Sequence, residues 1–265
     1  MIKINGLTKN FDDYTALESF NLSVNKGSIY GLVGVNGAGK TTVIKHLAGV
    51  FRADNGSIQI DGTDVYDNEK VKARVGYVSD DLYFFPQYNL KMLRNFFSGL
   101  HLNWSDERFE KLTELLELDT KRRVGRFSKG MQKQAALALA LSAMPEVLLL
   151  DEPIDGLDPI VRKRIFEFII EDVADRQMTV LISSHNLKEM DGICDTVGII
   201  KKGKMLMERD LDELKSEMSG NPSFEHQPPS LDEIFIYLYE TAEQKPLCKT
   251  AEQKPLCVEG GISHE

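Results

Sequence analysis

The sequence is poor in cysteine, in long apolar runs and in positive charge, and each shortage argues against a class of protein. Only Cys194, Cys248 and Cys257 occur in 265 residues. An odd count at wide spacing argues against a disulfide framework, fits a reducing compartment and matches no zinc-ligand pattern. The first residues, MIKINGLTKN, contain no apolar signal region, and no stretch approaches the roughly 20 apolar residues of a membrane span. Any link to a membrane is therefore expected to run through a partner. The formal net charge of −9 gives no whole-chain attraction to phosphate backbones, so nucleic acid is not an expected partner. The densest basic cluster, Lys121-Arg122-Arg123 with Arg126, reads as a solvated loop.

What is present is an ordinary supply of core-forming residues, enough for one large α/β domain or two small ones. Strands are predicted at Ile2-Lys3-Ile4, Phe20 to Val24 and Ser28 to Val33, the last an apolar run that ends in glycine. A helix follows at Thr41 to Ala48. Residues 56–61 (GSIQID) alternate like an exposed strand and close on the turn Asp61-Gly62. From about 86 to 143 the period becomes helical. The clearest helix is Ser105 to Leu118, with Phe109, Leu112, Leu115 and Leu116 on one face and acidic residues near its start. Val147 to Leu150, Val180 to Ser183 and Val197 to Ile200 read as buried strands. Between the first two, Asp158-Pro159 starts a helix that runs to about Arg176 and turns Ile165, Phe166 and Ile169 inward. Strands separated by helices imply a mainly parallel sheet.

The last part differs. Residues 221–229 are polar and proline-bearing and read as a linker, and 231–239 (LDEIFIYLY) as a short amphipathic helix. TAEQKPLC then occurs twice, at 241–248 and 250–257. This repeat is too short and polar for a solenoid, so 241–265 reads as a disordered tail.

The phosphate-binding pattern G-x-x-x-x-G-K-[ST] spans Gly34, Val35, Asn36, Gly37, Ala38, Gly39, Lys40 and Thr41, followed by Thr42. A loop that wraps anionic oxygens must aim backbone N–H groups inward, which side chains would obstruct. The next helix presents its N-terminus to the same charge. Lys40 adds a cation at the β/γ-phosphates, and Thr41 offers a hydroxyl to Mg²⁺. The strand before and helix after are the context this pattern requires. A second motif completes the site: the strand at Val147 to Leu150 runs into Asp151-Glu152-Pro153. Carboxylates at such a strand end lie where open α/β sheets bind ligands. Asp151 suits Mg²⁺, and Glu152 suits orientation or deprotonation of an attacking water.

With these motifs in order, residues 1–215 resemble the nucleotide-binding subunit of an ATP-binding-cassette (ABC) transporter. Phe127-Ser128-Lys129-Gly130-Met131-Gln132, just before a helix read as Lys133 to Met144, stands where the family carries LSGGQ. Ser128 and Gly130 match, whereas Lys129 and Met131 depart. The resemblance implies that this segment faces the γ-phosphate held by a second ATP-binding subunit, in a homodimer or heterodimer. Asp155-Gly156-Leu157-Asp158 resembles the D-loop, with Ile154 and Asp155 departing. Ser183-Ser184-His185 resembles the switch region, where an imidazole reaches the γ-phosphate and attacking water. Phe11, 23 positions before Gly34, stands where the family stacks an aromatic on adenine, with Tyr14 as an alternative stacker and core packing as the rival role. Asp80 replaces a glutamine that touches the metal and senses the membrane partner, and is expected to take over that role.

The resemblance implies a P-loop NTPase (RecA-like) core with an N-terminal antiparallel β subdomain and an α-helical subdomain at about 86–143, all within a domain of residues 1–220. It implies ATP and Mg²⁺, transmembrane permease subunits as partners, and a cytoplasmic location on the inner face of the membrane. For Tyr83, Phe84 and Phe85 two readings stand side by side: a groove for a permease helix, as the resemblance implies, or the helical subdomain's own core. Residues 229–235 (PSLDEIF) resemble the ending of exporter-type subunits. The rivals are a non-transport ABC ATPase acting on a macromolecular partner and a P-loop kinase or GTPase. Against them stand the single cassette, the interval of about 85 residues without sustained heptads, Ser128 and His185.

Overall fold

The computed structural model describes residues 1–221 and 223–244. The strands are β1 (Ile2–Phe11), β2 (Tyr14–Val24), β3 (Ile29–Val33), β4 (Asn55–Ile60), β5 (Thr63–Asp64), β6 (Val75–Val78), β7 (Val147–Asp151), β8 (Thr179–Ser184), β9 (Thr196–Lys201) and β10 (Lys204–Asp210). The helices are α1 (Lys40–Leu47), α2 (Glu69–Lys72), α3 (Leu90–Leu100), α4 (Asp106–Leu115), α5 (Lys129–Ser142), α6 (Pro159–Arg176), α7 (Leu187–Met190), α8 (Leu211–Met218) and α9 (Leu231–Gln244). One sheet is antiparallel, in the order β2-β1-β4-β5, and the other runs β10-β9-β3-β8-β7-β6. In the second sheet β9, β3, β8, β7 and β6 are parallel, and β10 adds an antiparallel edge.

The parallel strands are apolar on both faces, and the two faces serve different cores. Leu148 and Leu150 of β7 and Val180 and Ile182 of β8 pack with the helical side, beneath α4, α5 and α6. Val147 and Leu149 of β7 and Leu181 of β8 pack instead with α1 and the antiparallel sheet. The sheet is thereby clamped between two hydrophobic layers. That rigidity matters because the strand ends carry the polar side chains described below.

Several local features follow from residue chemistry. Asp61 and Gly62 take φ of +50° and +71°, the positive pair a tight hairpin between β4 and β5 requires, and Ile60 pairs with Thr63. Ser105 caps α4 by accepting from Arg108 N at 3.2 Å; Phe109 and Leu112 are buried on the core side. Asp158 caps α6 by accepting from Ile160 N at 2.9 Å, with Pro159 in the first turn, and Ile165, Phe166 and Ile169 are buried.

Several boundaries differ from expectation, including that of the helix expected at 105–118, which ends at Leu115. The first two strands are far longer and meet in a hairpin, with Phe11 paired to Tyr14. Their outer halves mix exposed polar residues with buried Ala16 and Leu17 in adjacent positions, and the register shifts along the pair, so strict hydrophobic alternation does not announce them. The helix expected at 133–144 runs from Lys129 to Ser142. It starts a turn earlier because Ser128 caps it, and it has ended before Met144, which adopts φ +52°. α9 runs to Gln244, so the first residues of the TAEQKPLC repeat are helical where a disordered tail was expected. The rest of that tail, 245–265, lies outside the described residues.

Candidate active site

The phosphate loop connects β3 to α1, as a strand–loop–helix unit. Gly39 caps α1 at φ +114°, a conformation that costs any other residue, and a Cβ there would also press on Leu17 Cδ2 at 3.0 Å. Lys40 is buried. Its ammonium donates to Gly34 O at 2.7 Å and pairs with Glu152 Oε1 at 3.1 Å. Thr41 Oγ1 donates to Asp151 Oδ1 at 3.2 Å. Residues 110 positions apart in the chain therefore meet because β3 and β7 flank β8 in one sheet.

The register of β7 on β8 sets the rest of the site. Asp151 pairs with Ser183. Ser183 Oγ donates to Asp151 Oδ1 at 2.6 Å and accepts from Glu152 N at 3.2 Å. One buried serine thus fixes both carboxylate residues. Burial pushes the Asp151 carboxyl above its usual range, while the hydrogen bonds from Ser183 and Thr41 oppose that rise. Asp151 Oδ2 is buried with no hydrogen-bond partner among the described residues. A buried, unpartnered carboxylate oxygen beside a threonine hydroxyl fits a hard divalent cation such as Mg²⁺.

Glu152 is held at every polar atom. Its main chain takes φ +46°, an uncommon conformation outside glycine. Its side chain meets Lys40 on one oxygen. On the other, Oε2 accepts from His185 N at 3.2 Å and lies 3.0 Å from His185 Nδ1. His185 follows β8 directly. The five predicted residues Lys40, Thr41, Asp151, Glu152 and His185 accordingly form one linked cluster. A cavity of about 270 Å³ beside it is lined by Phe11, Tyr14, Gly37, Gly39, Lys40, Thr41 and Thr42. Phe11 is 39% exposed and meets Phe51 edge-on, so it is no core residue; Tyr14 is more exposed still.

Two groups lie elsewhere. Ser128 caps α5, accepting from Met131 N at 3.2 Å, and Gly130 approaches the D-loop so closely that a Cβ would sit 2.8 Å from Gly156 O. Asp80 is half-exposed after β6, and its carboxylate pairs with Lys133 at 3.1 Å. Sequence reasoning missed Lys133 and Ser183 as site residues. Ser183 was named within the switch-like Ser183-Ser184-His185, but without a role of its own; no spacing pointed to Lys133.

With that geometry in place, comparison with known proteins is decisive. The family described as ABC transporter matches residues 17–155. The chain belongs to the ABC transporter family. YtrB, an ABC transporter ATP-binding protein of Bacillus subtilis (strain 168), is 32% identical over 217 residues, 82% of this chain and 74% of the relative. The bacitracin transport ATP-binding protein BcrA of Bacillus licheniformis is 38% identical over 220 residues, 81% of this chain and 71% of the relative. A solved ATP-binding subunit of an ABC transporter superposes with a TM-score of 0.78 at 25% identity, covering 90% of this chain and 99% of that one. The cassette is thus an ATP-binding, ATP-hydrolysing subunit on a P-loop NTPase fold. No helix among the described residues is long and apolar enough to cross a membrane.

Proposed function

We propose that two such subunits close on two ATP molecules and drive permease subunits that export drug- or peptide-like cargo. In this reading Glu152 is the general base. Lys40 holds it and, with His185, stabilises charge developing on the γ-phosphoryl group. Phe11 stacks on adenine, residues 34–42 cradle the phosphates, and Ser128 and Gly130 of each subunit complete the partner's site. Thr41 and Asp151 hold Mg²⁺, which supplies neutralisation of phosphate charge. Asp80 acts from outside the metal site through Lys133. The observation that carries the proposal is the convergence of Lys40, Glu152 and His185 next to the unpartnered Asp151 Oδ2.

The likeness to a bacitracin transport subunit supports transport over action on a ribosome or chromosome. An exposed apolar surface supports the permease contact. Tyr83 is 81% exposed, with Phe85, Met92 and Phe96 about half-exposed, whereas Phe84, Tyr88 and Phe97 pack on the core. Core packing therefore accounts for Phe84, Tyr88 and Phe97, and the exposure of Tyr83 and Phe85 supports the groove role for them. In this reading the cassette works against the cytoplasmic face of the membrane. The test is to find whether the neighbouring genes encode a multi-span membrane protein and to co-express the chain with it. Co-purification, with Mg²⁺-dependent ATP hydrolysis that Lys40→Ala abolishes, is expected; hydrolysis surviving Lys40→Ala would overturn the reading.

A further inference from the structure

Lys133 is a cation that neither the phosphate loop nor the metal site uses, yet it is buried to 6% exposure. Leaving an ammonium there without partners would be costly, and three oxygens satisfy it. Lys133 Nζ donates to the main-chain oxygen of Glu152 at 2.6 Å, to the main-chain oxygen of Asp155 at 3.4 Å and to Asp80 Oδ1 at 3.1 Å. These acceptors belong to three segments: the end of β7, the D-loop and the loop after β6 that leads to the exposed Tyr83 and Phe85. The ammonium comes from a fourth, α5, whose capped end carries Ser128 and Gly130. A cavity of about 460 Å³ lined by Asp80, Asp81, Lys129, Lys133, Asp155 and Gly156 lies where these segments meet.

The bond to Glu152 O is the informative one. Glu152 sits at φ +46°, and such a backbone persists only where its surroundings determine it. Its N–H is fixed by Ser183 on one side. Its carbonyl is fixed by Lys133 on the other. The direction in which the Glu152 carboxylate leaves the chain therefore depends on both anchors.

We infer that Lys133 is a positioning residue that holds the Glu152 backbone in its strained geometry and ties it to the D-loop and to Asp80. A shift of the loop after β6, such as a bound permease helix would impose on Tyr83 and Phe85, reaches Glu152 through one ammonium group. The part played by Asp80 is then electrostatic and indirect: it fixes the exposed end of this tether. Because Asp80 is half-exposed, its ion pair contributes less than the two main-chain bonds. This inference rests on Glu152 being the general base.

The test is steady-state ATP hydrolysis by the purified full chain, with nucleotide affinity measured separately by fluorescence titration with an ATP analogue. Lys133→Met should lower kcat by about 10- to 100-fold, the scale for misplacing a reacting group, and leave KM and analogue affinity within about threefold. Lys133→Arg, which keeps a donor, should recover most of that loss. Asp80→Asn should lower kcat less than Lys133→Met and add nothing in the Lys133→Met background, since both act through one tether. A structural role alone would lower thermal stability and analogue affinity together, without rescue by arginine. That pattern, or additive losses from Asp80→Asn and Lys133→Met, would overturn the inference. Glu152→Gln is measured alongside: if it retains turnover the base assignment has failed, and if it does not, the Lys133 result stands on its own.

Discussion

Removing one buried hydroxyl should damage both stability and chemistry, because Ser183 holds Asp151 and Glu152 at once. In Ser183→Ala the 2.6 Å bond to Asp151 disappears, while Glu152 N keeps the main-chain oxygen of Ser183 at 3.2 Å as an acceptor. A hydrogen bond to a charged group contributes ~1.5–3 kcal/mol, and Asp151 is fully buried, so solvent cannot replace the donor. A domain of this size shifts by about 2–4 °C per kcal/mol, so the melting temperature should fall by about 3–12 °C. The same bond orients the carboxylate that holds Mg²⁺ in the proposed mechanism. If that energy is also lost from the transition state, kcat should fall by about 10- to 100-fold. Differential scanning calorimetry without nucleotide and a coupled ATPase assay read the two effects separately. A variant that melts within about 1 °C of the parent and keeps full kcat would refute the reasoning, since neither carboxylate would then depend on Ser183.

Asp172, buried in α6, accepts from Arg108 of α4 and from Arg176 at 2.9 Å, so Asp172→Ala leaves two guanidinium groups partly buried without their anion. Breaking such a pair costs ~3–5 kcal/mol, which urea unfolding should show as a lowered midpoint with unchanged slope; a loss under about 1 kcal/mol would mean that solvent already screens it. Ser230 and Glu233 form a reciprocal cap on α9: Glu233 accepts from Ser230 N at 2.9 Å and Ser230 Oγ accepts from Glu233 N at 3.3 Å. Hydrogen bonds from Ser230 and His226 hold the Glu233 carboxyl down to about 2. A carboxyl lowered on folding stabilises above its ordinary value and loses that contribution as pH falls from about 4.5 towards 2. Wild type should therefore lose its advantage over Glu233→Gln across that window in thermal melts; a constant gap would contradict the assignment.

The phosphate loop, the acidic strand end and the Asp158-Pro159 helix start were legible because each requires particular residues at fixed spacing. Gly39 at φ +114° and Asp158 accepting from Ile160 are local demands, and local demands leave marks in sequence. The length of the β1–β2 hairpin was hidden because Ala16 and Leu17 are buried as adjacent residues and the register shifts along the pair, which breaks the alternating hydrophobic rhythm. Ser183 and Lys133 were hidden for another reason. Their partners lie 32 and 19 residues away in the chain, and only strand register and helix packing bring them within hydrogen-bond distance. Asp80 shows the same limit: its position was visible, but the cation that claims its carboxylate was not. Asp80 was expected to take over a glutamine's contact with the metal, whereas its carboxylate pairs with Lys133.

The most direct test of the central claim is Glu152→Gln incubated with ATP and Mg²⁺, followed by size-exclusion chromatography and analysis of the bound nucleotide. The variant keeps the shape of the side chain and its reach towards Lys40 but cannot accept a proton from water. The account predicts a dimer that elutes with unhydrolysed ATP, with turnover reduced by at least about 100-fold. A variant that stays monomeric with ATP and turns over near the wild-type rate would contradict both the general base and the ATP-closed dimer.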